Sequence, residues 1–309
     1  MLNKTKKFIV SFLAYIQYGI RAAYSLSLLS INSSRKNETD LITYYHKIIK
    51  RYLDELLRYI QIQPQCTAEK NNTGPVWVCW WQGEDNMPAI VRACWNNLKK
   101  NVQNRPVILI TKDNYSKYAE VPDIILKQLI LKNITITHFS DILRACLLYQ
   151  NGGFWFDATI YLSQPIDDIL DNSANFFTIR SPYTEKYVSK GQWCGFLMGG
   201  GKGHPLFKFM IDSFVVYWKH NKNLIDYFLI DYIIAVAYDR YSIVQKDINT
   251  KAYQVDKLYD IQRLLTQDFS IEYFKILKQT PIHKLSWKLS ECNVKRGSLK
   301  EWIEKNNTL

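Results

Sequence analysis

The chain has 309 residues, 47% of them hydrophobic and 22% charged, with a formal net charge of +12. This balance excludes a disordered or collagen-like chain and suffices for one elaborated domain or a domain with an appendage. The charge favours a polyanionic partner or an anionic membrane surface unless it serves solubility alone, and no zinc-finger or RNA-recognition signature accompanies it, so nucleic acid is not an expected partner.

The opening stretch "MLNKTKKFIVSFLAYIQYGIRAAYSLSLLSI" is basic and then apolar. Gln17 and Arg21 break the apolar run short of a membrane span, and no small-x-small cleavage site follows. It reads either as an interfacial helix, with Lys4, Lys6, Lys7 and Arg21 at lipid headgroups, or as a helix packed on the protein's own core. Helical spacing continues to about residue 65, carried by Ile42, Tyr45, Ile49, Tyr52, Leu56 and Ile60. The polar run "CTAEKNNTGP" then marks a boundary. A helical extension over 1–70, peripheral at the membrane in the first reading, and a second domain over 71–309 are expected.

"VWVCWW" is a short buried strand, and a helix is expected from about Pro88 to Lys100 with proline in its first turn. "RPVILIT" is a second buried strand, so strand, helix and strand imply a right-handed crossover in an α/β fold. In "HFSDILRACLLYQNGG" Ser140 is the expected cap, Asp141 suits the positive helix end, and Gly152 can terminate the helix.

"FWFDATIYL" follows as one strand. Alternation puts Phe154, Phe156, Ala158 and Ile160 on a core face and Trp155, Asp157 and Thr159 on the other, where a carboxylate, a hydroxyl and an indole make a poor core and a good binding surface. Asp141 and Arg144, three apart on the preceding helix, share a face; taken alone they form a local ion pair.

"WCGFLMGGGKGHPLFKFMIDSFVVYW" runs from a strand through a glycine-rich turn to a helix starting near His204 or Pro205, with the turn bordering a cleft. In "LIDYFLIDYIIAV", Asp226 and Asp231 lie in apolar surroundings, so each is either ion-paired or facing a cleft; Asp231 is the candidate cleft-side carboxylate. The six cysteines, Cys66, Cys79, Cys94, Cys146, Cys194 and Cys292, are scattered singly, which suits reduced thiols in a cytosolic enzyme.

"SDILRACLLYQNGGFWFDATIYL" resembles the signature of sugar-nucleotide-dependent glycosyltransferases of the GT-A fold. It is most similar to the bacterial capsular-polysaccharide-synthesis family, related to yeast initiating α-mannosyltransferases and large clostridial toxin glucosyltransferase domains. The similarity extends more weakly from "VWVCWWQGEDNMPAIVRACWNNL" to "HKLSWK", over roughly residues 75 to 290.

The resemblance implies that Asp141 and Arg144 contact the donor sugar, that Asp157 lies near the ribose and a Mn²⁺ or Mg²⁺ ion, and that Trp81 stacks on the donor base, with Trp155 on the same binding surface. Thr159 stands where many relatives carry a second aspartate, which leaves the ion a carboxylate short. The closing run "HKLSWK" then offers His283 as a further metal ligand, Lys284 or Lys288 as neutralisers of the diphosphate, and Ser286 and Trp287 as a cover.

The implied reaction is retaining transfer, in the cytoplasm, from a nucleotide-sugar donor to a growing oligosaccharide or lipid-linked surface glycan. Its rivals are a glycoside hydrolase with two opposed carboxylates and a non-catalytic binder of membranes or polyanions that keeps the fold.

Overall fold

The structure, a computed structural model, describes residues 38–62, 74–167, 169–170, 175–250, 253–271, 273–288 and 296–306, with isolated positions before residue 37. The expectations for the N-terminal segment and for the polar boundary run therefore fall largely outside the described residues.

The described chain opens with α1 (Glu38–Leu56). Its apolar stripe is absorbed by the fold: Ile49, Leu53 and Leu57 are fully buried, and α1 packs on a later helix, α6 (Leu229–Arg240). Tyr45 donates to Asp226 and Tyr52 to Asn221, each at 2.7 Å. No described helix is long and apolar enough to cross a membrane.

The α/β unit follows as β1 (Val76–Cys79), α2 (Ala89–Asn101), β2 (Val107–Ile110), α3 (Asp123–Ile130), α4 (Ile136–Asn151), β3 (Gly153–Asp157) and β4 (Ile160–Leu162). Next come β5 (Phe176–Arg180), β6 (Leu197–Gly200), α5 (Pro205–His220), α6, α7 (Ser242–Asn249) and β7 (Tyr253–Gln254). The described chain closes with α8 (Asp260–Leu264), α9 (Tyr273–Gln279), β8 (Ile282–Lys284) and α10 (Leu299–Asn306).

Six strands form one mixed sheet in the order β2-β1-β3-β6-β5-β7, with β1 parallel to both β2 and β3 and β6 antiparallel to β3 and β5. The period of two divides the strand residues between two cores. Trp77, Trp155 and Met198 face α1, α4, α5 and α6, whereas Val76, Val78, Phe154, Phe156 and Leu197 face α2, the small β4-β8 sheet and α10. The expected core face of Phe154 and Phe156 is confirmed, both being fully buried.

Two local expectations are corrected. Helix α4 starts a turn earlier than Ser140: Thr135 is the cap, accepting from the His138 amide at 3.1 Å, and Ser140 donates instead to the Thr137 carbonyl within the helix. The run 154–162 is also two strands rather than one, because Ala158 and Thr159 turn the chain out of the large sheet and into the pair β4-β8.

The join between α4 and β3 fixes the site. Gly152 ends the helix at φ 67° and Gly153 continues at φ 93°, both in the left-handed region that glycine occupies freely. A Cβ on Gly153 would lie 2.2 Å from the Pro75 carbonyl oxygen, and Trp77 Nε1 donates to the Gly152 carbonyl at 2.9 Å. Backbone thus packs directly on β1, locking the pitch of α4 against the strand carrying Asp157.

Candidate functional site

A cavity of about 440 Å³ opens at the C-terminal ends of β1 and β3. The parallel register sets Cys79 beside Asp157, so the β1 exit, Trp80 and Trp81, meets the β3 exit, Asp157 to Thr159. α4 supplies one wall, the loop before α6 another and the segment after β8 a third.

Arg144 is the hub, only 4% exposed. Its guanidinium lies 4.8 Å over the Trp155 ring and reaches Asp141 Oδ1 at 3.0 Å and Asp157 Oδ1 at 3.3 Å, and it donates to the Gly195 carbonyl. The pair Asp141–Arg144 is therefore part of a bridge between α4 and β3, with Trp155 Nε1 also donating to Asp157 at 2.9 Å. A fork of fixed donors suits such bridging, as an ammonium would not.

Burial pushes the Asp141 carboxyl up to about 7, opposed by Arg144 and aided by the carboxylates of Asp157 and Asp231. Asp231, in the first turn of α6, accepts from Trp193 Nε1 at 2.9 Å; burial raises it to about 6, with Trp193 and Arg144 pulling the other way. The sequence left Asp226 and Asp231 each between an ion pair and a cleft. Asp231 lines the cavity, and Asp226 is tied to Tyr45 and to the Phe228 amide. A second cavity of about 190 Å³, bounded partly by Tyr45 and His46 of α1, shares Phe228 and Asp231 with the first.

Asp231→Asn isolates one titration. A carboxyl with a higher pKa in the folded than in the unfolded chain takes up a proton on folding, so its contribution is full below its ordinary value of 3.8 and is lost as pH rises through about 6. Relative to wild type, the variant is expected to gain roughly 3 kcal/mol of stability between about pH 4 and pH 7. Parallel denaturation curves over that range check it, and a constant difference refutes the titration.

Trp81 packs between Tyr115 at 5.3 Å and Phe139 at 5.0 Å with part of its surface on the cavity. Trp80 meets Trp287 edge to face at 5.7 Å. Lys284, Ser286, Trp287 and Lys288 also line the cavity, with Ser286 held through its amide by Gln262 at 2.6 Å.

His283 is the exception among the sequence-derived candidates. It is fully buried opposite Tyr161 in the β4-β8 pair, on the face away from the cavity, and burial lowers its pKa to about 4. The expectation that it ligates a metal beside Asp157 is corrected: in a strand, neighbouring side chains point to opposite faces, and Lys284 takes the inward one. Lys284 Nζ donates to Thr159 Oγ1 at 2.5 Å and lies 3.5 Å from Asp157 Oδ2. Among the described residues no group of three or more His, Cys, Asp or Glu is placed to hold a metal. An ammonium between the two side chains meant to hold a divalent cation repels that cation, so these residues do not fit it.

Gly195, Tyr227 and Phe228 also belong to the site, although sequence reasoning did not single them out. A Cβ on Gly195 would lie 3.3 Å from Arg144 Nη1; the flanking "WCGF" gives no local sign of a partner so distant in sequence. Tyr227 and Phe228 sit within the apolar run around Asp231 and reach the cavity only because the chain turns ahead of α6.

A mixed α/β protein with a polar, indole-rimmed cavity at the ends of its parallel strands, organised by an arginine between two carboxylates, falls in the class that binds small polar molecules at that edge of the sheet. The family described as "Capsular polysaccharide synthesis protein" matches residues 26–303, and the chain belongs to it. This bears out the resemblance carried by "SDILRACLLYQNGGFWFDATIYL", and the sheet with helices on both faces agrees with the fold implied there. No curated protein matches the chain. Among solved structures it is similar to "PaToxG Glycosyltransferase", at 14% identity and a TM-score of 0.40, over 68% of this chain and 83% of that one.

The four described cysteines, Cys79, Cys94, Cys146 and Cys194, are free thiols, each pushed up to about 12 by burial. Cys79 reaches the cavity wall but is held as a thiol, which argues against a nucleophilic role.

Proposed function

We propose that the protein is a glycosyltransferase that moves a sugar from a nucleotide-sugar donor to a hydroxyl of a growing bacterial surface polysaccharide, with retention at the anomeric carbon. The observation carrying this reading is the Asp141–Arg144–Asp157 bridge over Trp155, in a chain of the capsular polysaccharide synthesis family. A guanidinium and carboxylates on one wall suit the vicinal hydroxyls of a sugar, and indoles on the rim suit a nucleobase or sugar face.

In this reading Trp81 is the base-side aromatic, Asp141 and Arg144 orient the donor sugar, and Asp157 stands by the ribose. Lys284 and Lys288 face the diphosphate, with Ser286 and Trp287 as the cover. Asp231, between the two cavities, accepts a hydrogen bond from the acceptor. Retention follows the family resemblance: the leaving diphosphate takes the acceptor's proton on the face from which it departs, so no separate base is required.

The test is a thermal-shift screen against UDP-, GDP-, CMP- and dTDP-sugars. A donor at about a hundred times its Kd stabilises the fold by roughly 2.7 kcal/mol, which reads as a clear rise in Tm. A rise confined to one base supports the reading and selects the donor; unchanged melting with every nucleotide sugar overturns it.

A further inference from the structure

We infer that Lys284 is the cation of this active site: its ammonium takes the place of a divalent metal, holding the donor diphosphate and stabilising its departure, so that the reaction proceeds without a bound metal ion. The inference rests on the nucleotide-sugar reading above and changes how that site works.

The fold delivers this lysine deliberately to one spot. β8 pairs antiparallel with β4, placing Lys284 opposite Ile160, the residue after the Ala158–Thr159 turn. The Leu285 amide donates to the Thr159 carbonyl at 2.9 Å, extending the pairing by a further bond into the turn. The backbone of a segment more than a hundred residues downstream is thereby fastened to the end of β3. Nζ is held by Thr159 Oγ1 at 2.5 Å, Asp157 Oδ2 at 3.5 Å, the Leu285 carbonyl at 3.5 Å and the face of Phe196 at 5.4 Å. It is partly exposed and borders the cavity.

Thr159 is central to this arrangement. A carboxylate there, beside Asp157, would call for a dication; a hydroxyl instead accepts one ammonium hydrogen and adds no charge. Asp157 is shared between Lys284 and Arg144, and Arg144 also pairs with Asp141. Two of the ammonium's three polar contacts, to Asp157 and to the Leu285 carbonyl, are long at 3.5 Å, so an anion entering the cavity can replace them.

During transfer the bond from the anomeric carbon to the phosphate oxygen breaks with its electron pair on that oxygen, and a new bond forms to the acceptor oxygen. The acceptor's proton passes to the phosphate oxygen. Lys284 keeps its own proton and donates a charge-assisted hydrogen bond that strengthens as charge collects on the diphosphate.

The test measures binding of UDP, GDP, CDP and dTDP by calorimetry, in excess EDTA and in Mn²⁺, to wild type, Lys284→Gln and Lys284→Arg. The expected result is binding of one nucleoside diphosphate in EDTA, altered little by Mn²⁺, weakened about ten- to hundredfold in Lys284→Gln and largely kept in Lys284→Arg. Binding to wild type only with Mn²⁺, or undiminished binding to a folded Lys284→Gln protein, overturns the inference and leaves the nucleotide-sugar reading standing. No binding to wild type in either condition overturns that reading and the inference with it. Comparing EDTA with Mn²⁺ on wild type decides the metal question even if the glutamine variant does not fold.

Discussion

Replacing Arg144 with alanine is expected to cost about 3–5 kcal/mol of stability at neutral pH and to abolish transfer. Arg144 is 4% exposed and spans two elements; its loss leaves Asp141 without its ion pair beside the carboxylates of Asp157 and Asp231 and removes the cation from the Trp155 face. Protonation of Asp141 offers partial relief. Since Asp141 already titrates near 7 with Arg144 opposing the rise, loss of that cation moves its pKa above 7, so the destabilisation should shrink as pH falls from alkaline values toward about 7 and level off below it. Arg144→Lys separates charge from geometry: an ammonium satisfies one carboxylate but cannot also span to the other and to the Gly195 carbonyl. That variant is expected to fold with a smaller loss of stability and still transfer sugar poorly. Urea denaturation at two pH values with a transfer assay on both variants measures this. An alanine variant as stable and active as wild type would remove Arg144 from the centre of the site.

Much of this centre was legible because it is local. α4 and β3 are adjacent in sequence, the glycine pair announces the break between them, and alternation alone puts Trp155 and Asp157 on one face. The start of α4 was misread because Thr135 and Ser140 both offer a hydroxyl ahead of apolar residues. The structure prefers Thr135, where Ile134 is already buried and the chain must turn into the helix. The continuous strand read from 154 to 162 failed for another reason. Its apolar pattern persists through the Ala158–Thr159 turn because β4 is buried too, in a different sheet.

His283 and Lys284 show the limit most clearly. In so short a strand the sequence carries no phase, and either residue could face the cavity. Pairing with Ile160 and Tyr161, far away in the chain, decides it, and a slip of one residue would exchange the two side chains. The same long-range pairing places the lysine against Thr159. The contact of Lys284 with Thr159 and Asp157 could therefore not be read from the Asp-Ala-Thr run itself.

Asp157→Asn should leave the fold nearly as stable as wild type and lower transfer by about 10²-fold or more. Its side chain is 29% exposed, and an amide oxygen still accepts from Trp155 Nε1, so the folding cost is small. What disappears is the charge that fixes Arg144 and Lys284 relative to each other, and with it the alignment of sugar and diphosphate. Binding and transfer should then part ways. If an ion bridged Asp157 to the donor, losing the carboxylate would weaken nucleoside diphosphate binding along with transfer. With Lys284 as the cation, the carboxylate competes with the diphosphate for the same ammonium, so the asparagine variant should bind the diphosphate at least as tightly as wild type while turning over far more slowly. Calorimetry with the preferred diphosphate and a transfer assay on the same preparation read both quantities. Parallel losses would make Asp157 a direct donor contact, through the ribose or a metal ion, and wild-type turnover would leave it a structural turn residue at the end of a strand.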